Sequence, residues 1–199
     1  MRHHFLKYFY TLIGSFLFKV QMRLLSNKFG AKISVDGKVL IKSQGKSTIT
    51  IGDNFKLNSR RESNLVGVTN IASFQVIKGG RISIGNNCGF TSTVLSSRTL
   101  IKIGNYVKIG GNVRIFDHDY HSLNYLNRRN SRLDGNDVRT KQVIIDDDVF
   151  IGTNVTILKG VHIGAGSIIG AGSVVSLKNI PPDSIVAGNP AKIINRNNG

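Results

Sequence analysis

A β-branched aliphatic residue stands at every sixth position from Ile145 to Val175: Ile145, Ile151, Ile157, Ile163, Ile169 and Val175. An α-helix returns to the same face after about 3.6 residues and a strand after about 2, so neither element alone explains the spacing. A unit of this length holds one short strand and one tight turn, and the chain therefore reads as an all-β solenoid of stacked coils. Three units make a triangular coil, and the period leaves the hand of the winding open.

Each position in the unit has its own requirement. The aliphatic residue is an inward knob that stacks on the knob of the next coil. The following residue is glycine at Gly152, Gly164 and Gly170, where unusual backbone angles are expected. The fifth residue, Val149, Val155, Val161, Ser167 or Ser173, is a smaller knob at a corner. A looser form recurs upstream as Ile51-Gly52-Asp53, Ile84-Gly85-Asn86 and Ile103-Gly104-Asn105, and the alternations Ile49/Ile51, Ile82/Ile84 and Ile101/Ile103 read as strands entering turns. The solenoid is expected from about Ala31 to Ser176 with one interruption. The organisation is an N-terminal helical segment at 1–30, a β-helix at 31–178 with a loop at 119–142, and a closing segment at 179–199.

The lone cysteine, Cys88, occupies a small-knob position and reads as a buried structural thiol, and nothing argues for an oxidising compartment. With 27 Lys+Arg against 11 Asp+Glu the net charge is +16, which favours anionic partners. The basic residues are scattered and not interleaved with aromatics, which argues against nucleic acid. The first thirty residues are dense in apolar and aromatic side chains, from Phe5 and Leu6 to Leu24 and Leu25, punctuated by Arg2, Lys7, Lys19, Arg23 and Lys28. The charge-free run Tyr8 to Phe18 is too short to span a bilayer, and no small-residue cleavage site follows it. Two roles fit a basic, aromatic-rich helix: a cap on the solenoid end, or contact with an anionic membrane surface.

Between Ile115 and Val143 the period is lost. The excursion begins Phe116-Asp117-His118-Asp119-Tyr120-His121, and a histidine beside carboxylates is the usual general base near neutral pH. His118 is the first candidate and His121 the weaker one.

The five hexads, this loop root and the ending Ile180-Pro181-Pro182-Asp183-Ser184-Ile185-Val186-Ala187-Gly188-Asn189-Pro190-Ala191-Lys192 together resemble the hexapeptide-repeat acyltransferases, among them galactoside, maltose and serine acetyltransferases and polysaccharide O-acetyltransferases. The resemblance implies a left-handed parallel β-helix, a homotrimer with sites between subunits, and acetyl-CoA as donor with no metal required. It implies that His118 deprotonates an acceptor hydroxyl, with Asp117 or Asp119 orienting the imidazole or holding the acceptor. Gly152, Thr153, Ala171, Gly172, Ser176, Lys178 and Lys192 match donor-binding positions. Arg98 stands where galactoside enzymes carry acidic residues, so with His121 it is a candidate acceptor contact. The acceptor implied is a saccharide, sugar nucleotide or lipid-linked building block of a polysaccharide, and the location cytoplasmic, with peripheral membrane contact through residues 1–30 as the alternative to the cap. N-acetylation of a nucleotide-linked amino sugar is the runner-up. A zinc hydratase using His118, His121 and His162, and a binding solenoid without catalysis, are the rivals from other classes.

Overall fold

The structure, a computed structural model, describes residues 2–196 and, of their side chains, those from Tyr8 to Asn195. The side chains of Arg2, Phe5, Leu6 and Lys7, named above for the N-terminal segment, lie outside the described residues.

The hexads fold into three faces of one prism. Parallel sheets of seven, eight and six strands form the faces, the eight-stranded one including an antiparallel last strand. Successive knobs of the sequence fall on successive faces, and knobs three units apart stack. Ile145 pairs with Ile163 on the first face, Ile151 with Ile169 on the second, and Ile157 with Val175 on the third. All six are almost wholly buried, each worth about 1.5–3 kcal/mol of burial. The upstream alternations join the first face, with Ile49 and Ile51 beside Ile82 and Ile84 and these beside Ile101 and Ile103.

The turns correct one expectation. The left-handed residue of the unit is the fourth, at Asp148, Asn154, Gly160, Gly166 and Gly172, and the glycines at the second position are not left-handed. They are needed because the next coil passes too close for a side chain. A Cβ at Gly152 would lie 2.6 Å from the Ala171 nitrogen, and one at Gly164 would lie 2.5 Å from the Pro182 nitrogen. The Asp or Asn of the upstream phrase has its own cause. Asp53, Asn86, Asn105 and Asp147 form a ladder in which each Oδ1 accepts the turn amide of the coil before, at 2.6–2.8 Å. At the fifth position Ser167 and Ser173 replace valine because their hydroxyls find carbonyls, those of Pro181 and Gly170. Cys88 is buried, and its burial raises the thiol pKa, which keeps it protonated and unreactive.

Both ends of the solenoid lie further out than the strict period indicated. The first strand, Lys28–Phe29, pairs with Thr48–Ile51. At the far end Asn179–Ile180 and Ser184–Gly188 still pair in parallel with the coil before, because Ile180 and Val186 supply knobs after the period has slipped by one residue between Val175 and Ile180. The strand Ala191–Arg196 then turns back antiparallel on Ser184–Gly188.

Helix α1, Arg2–Leu24, covers the first coil. Gly14, Phe18 and Met22 form its buried stripe, and Gly14 is required because a Cβ there would meet the Val35 carbonyl oxygen at 2.5 Å. Ser15 Oγ accepts the Val35 amide at 2.9 Å, satisfying an edge donor that would otherwise be open. The opposite side of α1 exposes Tyr8, Phe9, Leu12, Phe16 and Leu17. Among the described residues no helix is long and apolar enough to cross a membrane.

The chain leaves the prism twice, not once as the sequence indicated. The expected excursion is ordered. Its root is a two-stranded bridge at His118 and Thr140, with the Lys141 amide on the Asp117 carbonyl at 2.8 Å. Two short helices follow, α2 at Tyr125–Arg128 and α3 at Ser131–Asn136, capped by Asn124 and Asn130. The second excursion runs from Arg60 to Ile71, between the strands Lys56–Asn58 and Ala72–Val76. It carries no knob pattern and therefore left no mark on the period.

Candidate active site

His118 sits at the turn from the third face to the first, just after the strand Arg114–Phe116. Its side chain and that of Asp117 are fully buried, and Nδ1 lies 3.0 Å from Asp117 Oδ1. Asp117 is held by the preceding coil. The Arg98 amide donates to Oδ1 at 2.8 Å, and Ser97 Oγ and the Thr99 amide donate to Oδ2 at 2.7 and 2.8 Å. Burial pushes this carboxyl up, but the hydrogen bonds from His118, Ser97, Arg98 and Thr99 outweigh it and hold the group below its ordinary value. Ionised at neutral pH, Asp117 accepts from Nδ1–H and so fixes the imidazole tautomer with its lone pair on Nε2. Among the described residues Nε2 has no hydrogen-bond partner. The Tyr120 ring lies against the imidazole, centroids 4.4 Å apart, and edge-on to Phe116.

The other loop candidates separate from this pair. Asp119 forms an ion pair with Lys159 of the next coil, and its second oxygen is buried without a partner among the described residues. His121 is exposed and bonded to Asp134 at 2.6 Å. Arg98 donates from its guanidinium to the Gly135 carbonyl at 2.8 Å and Lys78 from its Nζ at 2.9 Å, so both fasten α3 to the prism. His162 pairs with Asp146. The three histidines of a zinc reading thus go to three separate carboxylates, and among the described residues no three metal-ligating side chains converge.

The donor candidates fall on two corners. Gly152, Thr153, Ala171 and Gly172 line the turn from the second face to the third. There the Gly172 amide donates to the Thr153 carbonyl at 2.8 Å, and a Cβ at Gly172 would meet nothing. Lys192, exposed on the last strand, pairs with Ala187, which borders Gly170 of the same stack. Ser176 and Lys178 instead follow the strand Val174–Val175, at the corner that carries His118. A whole third-face strand, about 10 Å for its three residues, separates the two groups within one chain.

Sequence reasoning passed over Lys159, Tyr120, Gln75 and the holding role of Ser97. A groove of about 260 Å³ on the outer third face is lined by Lys42, Gln75, Ser96 and Tyr120 among others, and Tyr120 is the wall that lies against the imidazole. Ser97 had a signal. It lies where Val76 of the preceding coil is an inward knob, and a serine there asks for a buried acceptor.

A three-sided prism of hexads is what the comparisons with known proteins recognise in this chain. Residues 142–176 match the family model described as bacterial transferase hexapeptide (six repeats). Protein CapG of Staphylococcus aureus is 40% identical over 129 residues, 63% of this chain and 71% of that protein. A hexapeptide-repeat-containing acetyltransferase from Vibrio cholerae superposes with a TM-score of 0.56 at 27% identity, covering 92% of this chain and 80% of that one, and has also been solved with acetyl-CoA. AntD, an N-acyltransferase from Bacillus cereus solved with dTDP-4-amino-4,6-dideoxyglucose and coenzyme A, shares the fold at a TM-score of 0.69 and 19% identity, covering 91% and 89%. The chain belongs to the hexapeptide-repeat family, its prism is that family's left-handed parallel β-helix, and it is an acyltransferase.

Proposed function

We propose that the protein transfers an acetyl group from acetyl-CoA to a hydroxyl of a saccharide, with His118 as general base. The observation that carries this is the buried Asp117–His118 pair with Nε2 unpartnered. The acceptor O–H gives its proton to Nε2 as its oxygen attacks the thioester carbonyl. The tetrahedral intermediate then expels the CoA thiolate, which takes that proton back from the imidazolium. The Phe150 and Gly152 amides already donate to Ser167 and Ile169, so the Thr153 amide is the donor we assign to the oxyanion. Thr153, Ala171 and Gly172 border the pantetheine arm; Ser176, Lys178 and Lys192 meet the phosphates. The acceptor lies in the groove of Lys42, Gln75, Ser96 and Tyr120. Because base and donor track occupy different corners of one chain, the working unit is a homotrimer whose sites combine two copies. The location is cytoplasmic, where acyl-CoA is made.

The resemblance to AntD favours a second reading, N-acylation of a nucleotide-linked amino sugar. Labelled acetyl-CoA offered with sugar nucleotides, amino-sugar nucleotides and lipid-linked saccharides separates the two: an ester product is lost in mild alkali and an amide survives. Lys192→Ala is expected to raise KM for acetyl-CoA more than it lowers kcat. Failure to bind acetyl-CoA at all refutes the donor.

We also propose that the outer side of α1 rests on an anionic membrane surface, with Leu12 and Phe16 inserting beside the basic residues. Deleting residues 1–30 would uncover the first coil, so the informative variant is Leu12→Glu with Phe16→Glu, which spares the Gly14-Phe18-Met22 stripe. Vesicles containing phosphatidylglycerol should sediment the parent chain at low salt and not the variant. Equal sedimentation of both, or of neither, leaves α1 as a cap alone.

A further inference from the structure

The second excursion, Arg60 to Ile71, reaches the donor corner. Its tip is tied to the coil that carries His118. Asn112 Nδ2 donates to the Gly67 carbonyl and Oδ1 accepts the Thr69 amide, both at 2.9 Å. Val68 is buried, whereas Val66 and Leu65 are exposed, Leu65 at 91%. A Cβ at Gly111 would lie 3.0 Å from Val66 Cγ2, 3.7 Å from Val68 Cγ2 and 3.6 Å from Thr153 Cγ2, so the loop tip and Thr153 share one contact neighbourhood. Gly111, Thr153 and Gly172 follow one another along this corner in successive coils, linked by the Asn154 amide on the Gly111 carbonyl and the Gly172 amide on the Thr153 carbonyl. The loop closes this column at its N-terminal end.

Height along the prism decides what meets the tip. Gly111 and His118 belong to one coil, seven residues apart and on neighbouring corners. A threefold axis along the prism carries a copy sideways without raising it. His118 of the partner subunit therefore stands level with Gly111, and the thioester must lie at that level. With the phosphates at the C-terminal coils, the pantetheine arm runs toward the loop and its acyl group ends against it.

We propose that the 60–71 excursion is the acyl wall of the donor site: Leu65 and Val66 close the end of the track, admit an acetyl group and exclude longer chains. This rests on the donor and homotrimer readings given above. Calorimetric binding of CoA, acetyl-CoA and butyryl-CoA to the full chain tests it without an acceptor. The parent should bind butyryl-CoA at least about tenfold more weakly than acetyl-CoA, as a closed apolar wall rejects added methylenes. Leu65→Ala with Val66→Ala should recover most of that factor, leaving CoA within about twofold, and Val66→Phe should weaken acetyl-CoA relative to CoA. Asn112→Gly keeps the left-handed backbone of Asn112, φ 60°, and removes the loop's tether, so it should also relax discrimination. A parent that binds both thioesters equally, or a ratio that none of these changes moves while CoA still binds, overturns the proposal. A parent that binds no CoA overturns the donor reading itself.

Discussion

His118→Ala is expected to lower acetyl transfer by about 10²–10⁴-fold, the usual contribution of a positioned general base, while leaving CoA affinity unchanged. Thr153, Ala171 and Gly172, assigned to the pantetheine arm, occupy a different corner of the chain from the base, which is why the two readouts should part. The substitution removes a side chain that is fully buried, so melting curves must accompany the kinetics. Asp117 keeps its bonds to Ser97, Arg98 and Thr99 without the imidazole, so the turn itself should hold. Labelled acetyl-CoA gives the rate and calorimetry gives the affinity. Activity within a few-fold of the parent removes His118 from the reaction. A loss of this size from His121→Ala instead would move the base to a residue that the structure leaves exposed against Asp134.

The hexads made the prism legible because each inward knob is a local demand repeated without error from Ile145 to Val175. Pairing followed from the same knobs, since strands one coil apart must bring like positions together. Where a coil departs from the period the reading weakened, as in the five-residue step from Val175 to Ile180, after which Ile180 and Val186 continue the core. The Arg60–Ile71 excursion was not legible, because its anchor is a side chain two coils further along the chain. Asn112 reads as a turn residue, and only the folded corner reveals that it also grips Gly67 and Thr69. The glycines at Gly152 and Gly164 were read for backbone freedom, whereas the closeness of the neighbouring coil is what requires them. At the site, His118 stood out as a histidine at the end of a repeat. The choice between Asp117 and Asp119 depended on which one turns inward, and that is set by the coil each one meets. Asp117 turns in to four donors, and Asp119 reaches out to Lys159.

Asp117→Asn should cost both rate and stability. The carboxylate accepts four hydrogen bonds, two on each oxygen, and an amide has only one oxygen to offer. With its oxygen toward His118 and the Arg98 amide, the new asparagine turns its NH₂ against the Thr99 amide. With its oxygen toward Thr99, it turns the NH₂ against the Arg98 amide and donates to Nδ1, which places the proton on Nε2 and leaves no base. Either way one amide is stranded, at about 1–3 kcal/mol. The second orientation is inactive and the first lacks the negative charge that stabilises the imidazolium, so kcat should fall by about 10²-fold or more. The stability difference carries its own pH signature. The folded carboxyl titrates below its ordinary value of 3.8, so its stabilisation is complete above that pH and is lost as the pH falls through the depressed folded value. The gap between parent and Asp117→Asn in urea unfolding should therefore hold from neutrality down to about pH 4 and narrow only as the pH falls further, through the depressed folded value. A gap that does not narrow in acid, or a larger loss of rate from Asp119→Asn than from Asp117→Asn, would show that a different carboxylate positions the imidazole.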